Sequence, residues 1–208
     1  MARTLKSDKM LFLLTLLLVG ASVVMVYSAS TVLALSRHGD PYYFLYKQLT
    51  WAVLGFGVMF VTMRIDYHEY RRPAVIWSLL AVTVIGLLAV FFMPEINGTR
   101  RWLPFKFFSL QPSELAKLAV ILFTAAILER RMHRMADAIY ALGPVIAVTL
   151  MLAGLIVAEP DFGTCVAIVL VAMAMLFAAG LRWSHLLSAL LLLGPAGVLL
   201  VMLKAYRL

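Results

Sequence analysis

The apolar and polar positions of this chain fall into long blocks, not into a short-period alternation. Seven apolar runs stand out: Met10 to Ser28, Thr50 to Met63, Pro73 to Met93, Ser113 to Leu128, Ala138 to Val157, Phe162 to Leu181 and His185 to Leu203. A run of about 17 to 25 apolar residues crosses the roughly 30 Å hydrocarbon core as a helix, and only helices or closed barrels satisfy their backbone there. Runs this continuous exclude the period-two pattern of an outer-membrane barrel. The pattern predicts an all-α fold, a polytopic transmembrane helix bundle forming a single membrane domain over residues 1–208. The second and fourth runs are short, so each is expected to recruit residues from its flanking loop or to lie in locally thinned bilayer.

Composition agrees with that pattern. Of the 208 residues 64% are hydrophobic and 13% charged, against roughly half and a quarter in soluble domains. The net charge of +8 comes from Lys and Arg clustered between the apolar runs. In that setting it orients helices against anionic lipid, and it excludes nucleic acid as the expected partner. Cys165 is the only cysteine, so no internal disulfide forms, and its small apolar neighbours read it as a buried hydrophobe.

The first run follows Arg3, Lys6 and Lys9 and exceeds the usual signal-peptide core of about 7 to 15 residues, so it reads as an uncleaved signal anchor. With the N-terminus cytoplasmic, ten Lys and Arg residues lie in inner segments and seven in outer ones. That bias favours this orientation. Much of the outer positive charge sits in one loop, the stretch "NGTRRWLPFKFFSLQPSELAK" from Asn97 to Lys117. The chain stops at "KAYRL" on leaving the seventh run and reads as cut off.

That loop leads into a helix start. Pro112 suits a first helical turn, and Glu114 there complements the positive end of the helix dipole. Lys117, three residues on, shares its face and lies about 7.5 Å past Pro112, below headgroup level. Ionisable groups at such depth usually face a cavity, a partner or the bundle interior. Arg100, Arg101 and Trp102 precede them, suited to bidentate capture of phosphate and to stacking on a sugar ring. An equally open alternative is an intrahelical Glu114 and Lys117 pair with a snorkelling lysine, Arg100 and Arg101 on lipid headgroups and Trp102 in the aromatic belt.

A second candidate is "AEPDFGT", Ala158 to Thr164, where Asp161 either caps the helix starting near Phe162 or faces the same outer cavity. Glu129 with Arg130, Arg131 and Arg134 is expected only to orient a helix on the inner side. His68 stands alone in a solvated inner loop, and no cluster has the ligand spacing of a metal site.

The motifs "NGTRRWL", "SLQPSELAKLA", "EPDFGT" and "GLRW", in this order and sidedness, resemble the SEDS family (shape, elongation, division and sporulation). "VMVYSAS" in the first run and "YYFLYKQ" before the second are also similar, the latter more to the division branch. The resemblance runs from Lys9 to the end. It implies a ten-helix membrane fold, of which seven helices are covered, and an enzyme polymerising peptidoglycan glycan strands from lipid II on the outer face of the bacterial cytoplasmic membrane, at the division septum.

On this resemblance, Arg101 and Trp102 match the family's R-W pair, Gln111, Pro112, Ser113, Glu114 and Lys117 its QPSE-x-x-K block, and Asp161, Gly163 and Thr164 its D-x-G-T turn. Lys106 departs from the glycine that members often carry. The implied substrate-binding set is Arg100, Arg101, Trp102, Gln111, Ser113, Glu114, Lys117 and Asp161. The implied partners are lipid II, the nascent glycan strand, membrane lipid, a class B penicillin-binding transpeptidase and other division-complex proteins; no cofactor is assigned, and no residue of this chain is assigned to a metal. The family's proposed base is an aspartate in the outer loop after the seventh helix, beyond Leu208, so no catalytic residue is assigned here and the 208-residue chain alone is expected to be inactive. A lipid II flippase and a non-catalytic scaffold recruiting the transpeptidase are the alternatives. A flippase predicts polar residues along one continuous face, yet the interiors of the last three runs carry no charge.

Overall fold

The computed structural model describes residues 8–95, 99–105, 108–131 and 138–180. Its helices are α1 (Lys9–His38), α2 (Tyr43–Arg64), the single turn α3 (Tyr67–Tyr70), α4 (Pro73–Val90), α5 (Pro112–Arg131), α6 (Ala138–Ala158) and α7 (Phe162–Ala178). Between α4 and α5 lie two short strands, β1 (Leu103–Pro104) and β2 (Ser109–Leu110). The fold is all-α, and α1, α2 and α4 are each long and apolar enough to cross a membrane.

Several boundaries differ from the apolar runs. The first helix extends to His38, and the small polar residues after Ser28 are accommodated by bonding back into it: Ser30 to the Val26 carbonyl and Thr31 to the Tyr27 carbonyl. α2 begins at Tyr43 instead of Thr50, and α5 reaches Arg131 instead of Leu128, both recruiting flanking residues. α4 ends at Val90 and α7 at Ala178, short of the predicted Met93 and Leu181. The run from His185 to Leu203 lies outside the described residues, as do Lys106, Arg134 and Arg182.

The chain divides into two compact units, residues 1–69 and 70–208. In the first, Asp8 caps α1 by accepting from the Met10 and Leu11 amides, and Gly39 closes it in the left-handed conformation that glycine adopts without a Cβ penalty. α1 and α2 run as a pair, joined by Gln48 donating to Ser22 and by the parallel rings of Tyr27 and Tyr42. Almost all of their apolar surface is exposed within the unit, with Ala34 the buried exception among described residues.

The second unit has a true core. α4 buries Ile76, Leu80, Thr83, Leu87 and Val90, a stripe at helical spacing. α5 is its central helix, packing on α4, α6 and α7. Ala116 and Ala119, at 0% and 2% exposure, keep its core face small enough for close approach. Leu152 and Ile156 of α6 and Ile168 and Ala172 of α7 complete the cluster. At one end Gly86 of α4 meets Pro112 of α5 so closely that a Cβ would lie 3.1 Å from the proline ring. At the other, Arg71 pairs with Glu129 at 2.8 Å, and Arg131 donates to the Tyr140 carbonyl while lying over its ring. Glu129 is thus paired by the segment ahead of α4.

Candidate functional site

The segment between α4 and α5 is a small antiparallel hairpin. Leu103 pairs with Leu110 and Pro104 with Ser109, and the Phe105 amide donates to the Phe108 carbonyl at 2.8 Å to close the turn. The Phe105 and Phe108 rings stack with centroids 4.9 Å apart. This fold-back returns the chain to the start of α5, where Pro112 enters the first turn with its missing amide in a position that needs none. Arg101 and Trp102 on the incoming arm and Gln111 on the outgoing arm therefore lie at the end of the unit where α5 begins, α6 ends and α7 begins.

Asp161 joins these elements. Its Oδ1 accepts from the Thr164 amide at 3.2 Å, which caps α7. Its Oδ2 accepts from Gln111 Nε2 at 2.7 Å, from Thr164 Oγ1 at 2.9 Å and from Ser113 Oγ at 3.3 Å. Asp161 is 7% exposed and Ser113 fully buried. Of the two roles open to Asp161 in the sequence, the structure shows the cap and adds a tie between the starts of α5 and α7. A buried carboxyl with both oxygens occupied by protein donors has its desolvation offset within the fold.

Around this tie the remaining residues fall into two groups. Arg101 is drawn inward: its Nη2 donates to the Pro160 carbonyl at 2.7 Å. Glu114 and Lys117 stay together at the rim, Lys117 Nζ lying 2.8 Å from Glu114 Oε1 with side-chain exposures of 35% and 56%. Trp102 is half-buried. Arg100 stands apart from the tie, with its guanidinium 3.4 Å from Glu95 and donating to the Phe91 carbonyl at 3.2 Å. Gln111, Ser113 and Asp161 are thus brought into one hydrogen-bonded group, Arg101 joins it through Pro160, and Glu114, Lys117 and Arg100 do not bond to it.

Glu159 is the residue that the sequence did not single out as a site. It is 1% exposed, and neither of its carboxyl oxygens has a hydrogen-bond partner among the described residues. Burial pushes its carboxyl up to about 8; the adjacent Asp161 adds to the shift and Arg101 opposes it. The available signal was an acidic residue locked before a proline between two apolar helices, a place where a turn has little room to reach water. Among the described residues no group of three or more His, Cys, Asp or Glu is arranged to hold a metal. The donors and cations present suit an anionic or sugar-bearing ligand better than a metal.

Comparison with known proteins gives this arrangement its setting. The chain is 38% identical over 210 residues to a "Probable peptidoglycan glycosyltransferase FtsW" of Trichlorobacter lovleyi, a match covering 99% of this chain and 54% of that protein. It is 35% identical over 206 residues to the "Stage V sporulation protein E" of Bacillus subtilis, covering 96% of this chain and 55% of that protein. Among solved structures it resembles the rod shape determining protein RodA of Thermus thermophilus, with TM-score 0.62 and 28% identity over 86% of this chain and 58% of that one. A structure titled "Structural coordination of polymerization and crosslinking by a peptidoglycan synthase complex" matches with TM-score 0.64 and 26% identity, over 83% of this chain and 51% of that one. The chain spans about half the length of the curated relatives it matches. The sequence profile described as "Cell cycle protein", that of FtsW, RodA and SpoVE, takes in residues 8–208, and the chain belongs to this membrane-protein family.

Proposed function

We propose that this chain supplies part of a peptidoglycan glycosyltransferase that polymerises lipid II into glycan strands on the outer face of the cytoplasmic membrane, in cell division. Relatives named as such glycosyltransferases support the reading, and the FtsW matches favour the division branch over elongation. One structural observation carries it to these residues: Asp161 ties the starts of α5 and α7 together, fixing the turn of helix from which Glu114 and Lys117 project. The orientation follows the charge bias, with the N-terminus cytoplasmic and this end of the second unit outward.

Glycosyl transfer requires an acceptor hydroxyl to attack the anomeric carbon while the bond to a polyprenyl pyrophosphate breaks and charge develops on the departing phosphate. Lys117 and Arg101 supply positive charge for that leaving group, with Arg100 at the periphery. Glu114 holds Lys117 in position, and Trp102 offers a face to the sugar. Gln111, Ser113 and Asp161 keep the frame rigid, so their contribution to substrate binding is indirect. The base belongs to the part of the fold that the relatives have and these 208 residues do not cover, and the chain alone is expected to be inactive. A class B penicillin-binding transpeptidase is the proposed partner, in keeping with the matched complex that couples polymerisation to crosslinking.

The test is polymerisation of labelled lipid II in liposomes containing the transpeptidase, comparing the full-length protein, its Lys117→Ala variant and the 208-residue chain. Product from the unmodified full-length protein alone supports the reading. Lys117-dependent passage of lipid II across the bilayer without polymer establishes a flippase instead. Polymer made equally well by Lys117→Ala removes Lys117 from the site.

A further inference from the structure

The transfer chemistry does not use Glu159, yet its placement is unusual for a carboxyl group. It is buried to 1% exposure in the turn between α6 and α7, and neither oxygen is hydrogen-bonded among the described residues. Arg101 reaches into the same turn from the hairpin arm. Its Nη2 is satisfied by the Pro160 carbonyl, while its Nε is buried without a partner among the described residues. A carboxyl and a guanidinium therefore flank one proline peptide, each with atoms unsatisfied among the described residues, in surroundings where such atoms are costly.

The other described charged groups at this end are committed elsewhere. Glu114 is paired with Lys117 and Arg100 with Glu95. The Asp161 oxygens are taken up by Gln111, Ser113 and Thr164. The groups that act on Glu159 are Asp161, which opposes its ionisation, and Arg101, which favours it.

We propose that Glu159 is a positioning residue for Arg101: by holding or releasing its proton it sets whether the guanidinium charge is free for a phosphate-type anion or is neutralised inside the protein. This rests on the reading of Arg101 as part of an anion-holding site. With the proton on Glu159, the Pro160 carbonyl fixes Arg101 and its full charge faces a ligand. When the proton leaves to solvent, a carboxylate acts on the guanidinium across the same turn, and an anion must compete with it. The two states exchange near pH 8, where burial has placed this carboxyl. At the partly screened dielectric of a protein surface, a carboxylate in the same turn weakens anion binding by about tenfold.

The experiment uses the full-length protein in nanodiscs, with farnesyl pyrophosphate as the probe, titrated from pH 7 to pH 9. Wild type is expected to lose about tenfold in affinity over this range, and Glu159→Gln to flatten the slope. Thermal unfolding of Glu159→Gln at pH 7 checks that the variant is folded. Arg101→Gln is expected to lose affinity and slope together. A Glu159→Gln protein that is folded and keeps the wild-type slope overturns this proposal alone. Pyrophosphate bound by wild type with no slope also overturns it. Absence of pyrophosphate binding in wild type at every pH removes the anion-site reading, and this proposal with it.

Discussion

Gln111 and Asp161 are fifty positions apart in the chain and 2.7 Å apart in the structure, Nε2 donating to Oδ2. That bond locks the start of α5 to the turn that opens α7, and it defines what Asp161 should cost when removed. Asp161→Ala strips the cap from α7 and leaves the donors of Gln111, Ser113 and Thr164 without their acceptor. The expected loss is about 3 kcal/mol of stability. Asp161→Asn keeps one oxygen for the Thr164 amide and should cost less. Denaturant unfolding of the full-length protein in detergent checks both. A fully stable Asp161→Ala variant that makes no polymer would mean that Asp161 contacts substrate and not the frame.

Lys117 should behave in the opposite manner. Its pair with Glu114 lies at the rim, and exposed pairs of this kind contribute about 0–1 kcal/mol to stability. A purely structural role therefore predicts that Lys117→Ala is nearly silent in every assay. A role in stabilising the departing pyrophosphate predicts a fall in polymerisation rate of about 100-fold or more, with the unfolding midpoint almost unmoved. Rate and stability measured on the same preparation distinguish the two.

Gly86 tests the packing that presents this helix start. A Cβ at this position would lie 3.1 Å from Cβ and 3.3 Å from Cγ of Pro112, a buried ring that cannot rotate aside. Gly86→Val must push α4 from α5 at the first turn of the QPSE-x-x-K segment. Overpacking of this order costs about 1–3 kcal/mol, and the displaced turn should lower polymerisation beyond the loss of folded protein. Unfolding and activity normalised to folded fraction are the measurements. Unchanged stability would show that the two helices can part without strain.

These residues also show where sequence was informative. The start of α5 was legible because Pro112 and Glu114 are local signals, read from helix geometry alone. The start of α2 was not, because Tyr43, Tyr46, Lys47 and Gln48 interrupt the apolar pattern although the helix passes straight through them. The hairpin of Leu103 to Leu110 escaped notice because a two-residue ladder leaves no period to detect. The Asp161 tie lay beyond reach for a different reason: spacing along the chain says nothing of a partner fifty residues away. Glu159 was misleading, since an acidic turn residue ordinarily faces water and this one is sealed beneath its neighbours.

Burial of Glu159 has a consequence for stability that is separate from ligand binding. Its carboxyl is raised from an ordinary 4.5 to about 8 by desolvation first, then by Asp161, against the pull of Arg101. The folded chain thus keeps a proton that the unfolded chain gives up. The stabilisation is present in full below the unfolded value and is lost as pH rises toward the folded one. Relative to Glu159→Gln, the unfolding midpoint of the wild-type protein should decline between about pH 4.5 and about pH 8 and level off above. The variant lacks this titration, so the difference between the two curves isolates it from every other ionisable group. A wild-type curve parallel to that of Glu159→Gln throughout would show that the carboxyl has access to water or to a partner, and that it ionises in the folded protein as it does in the unfolded chain.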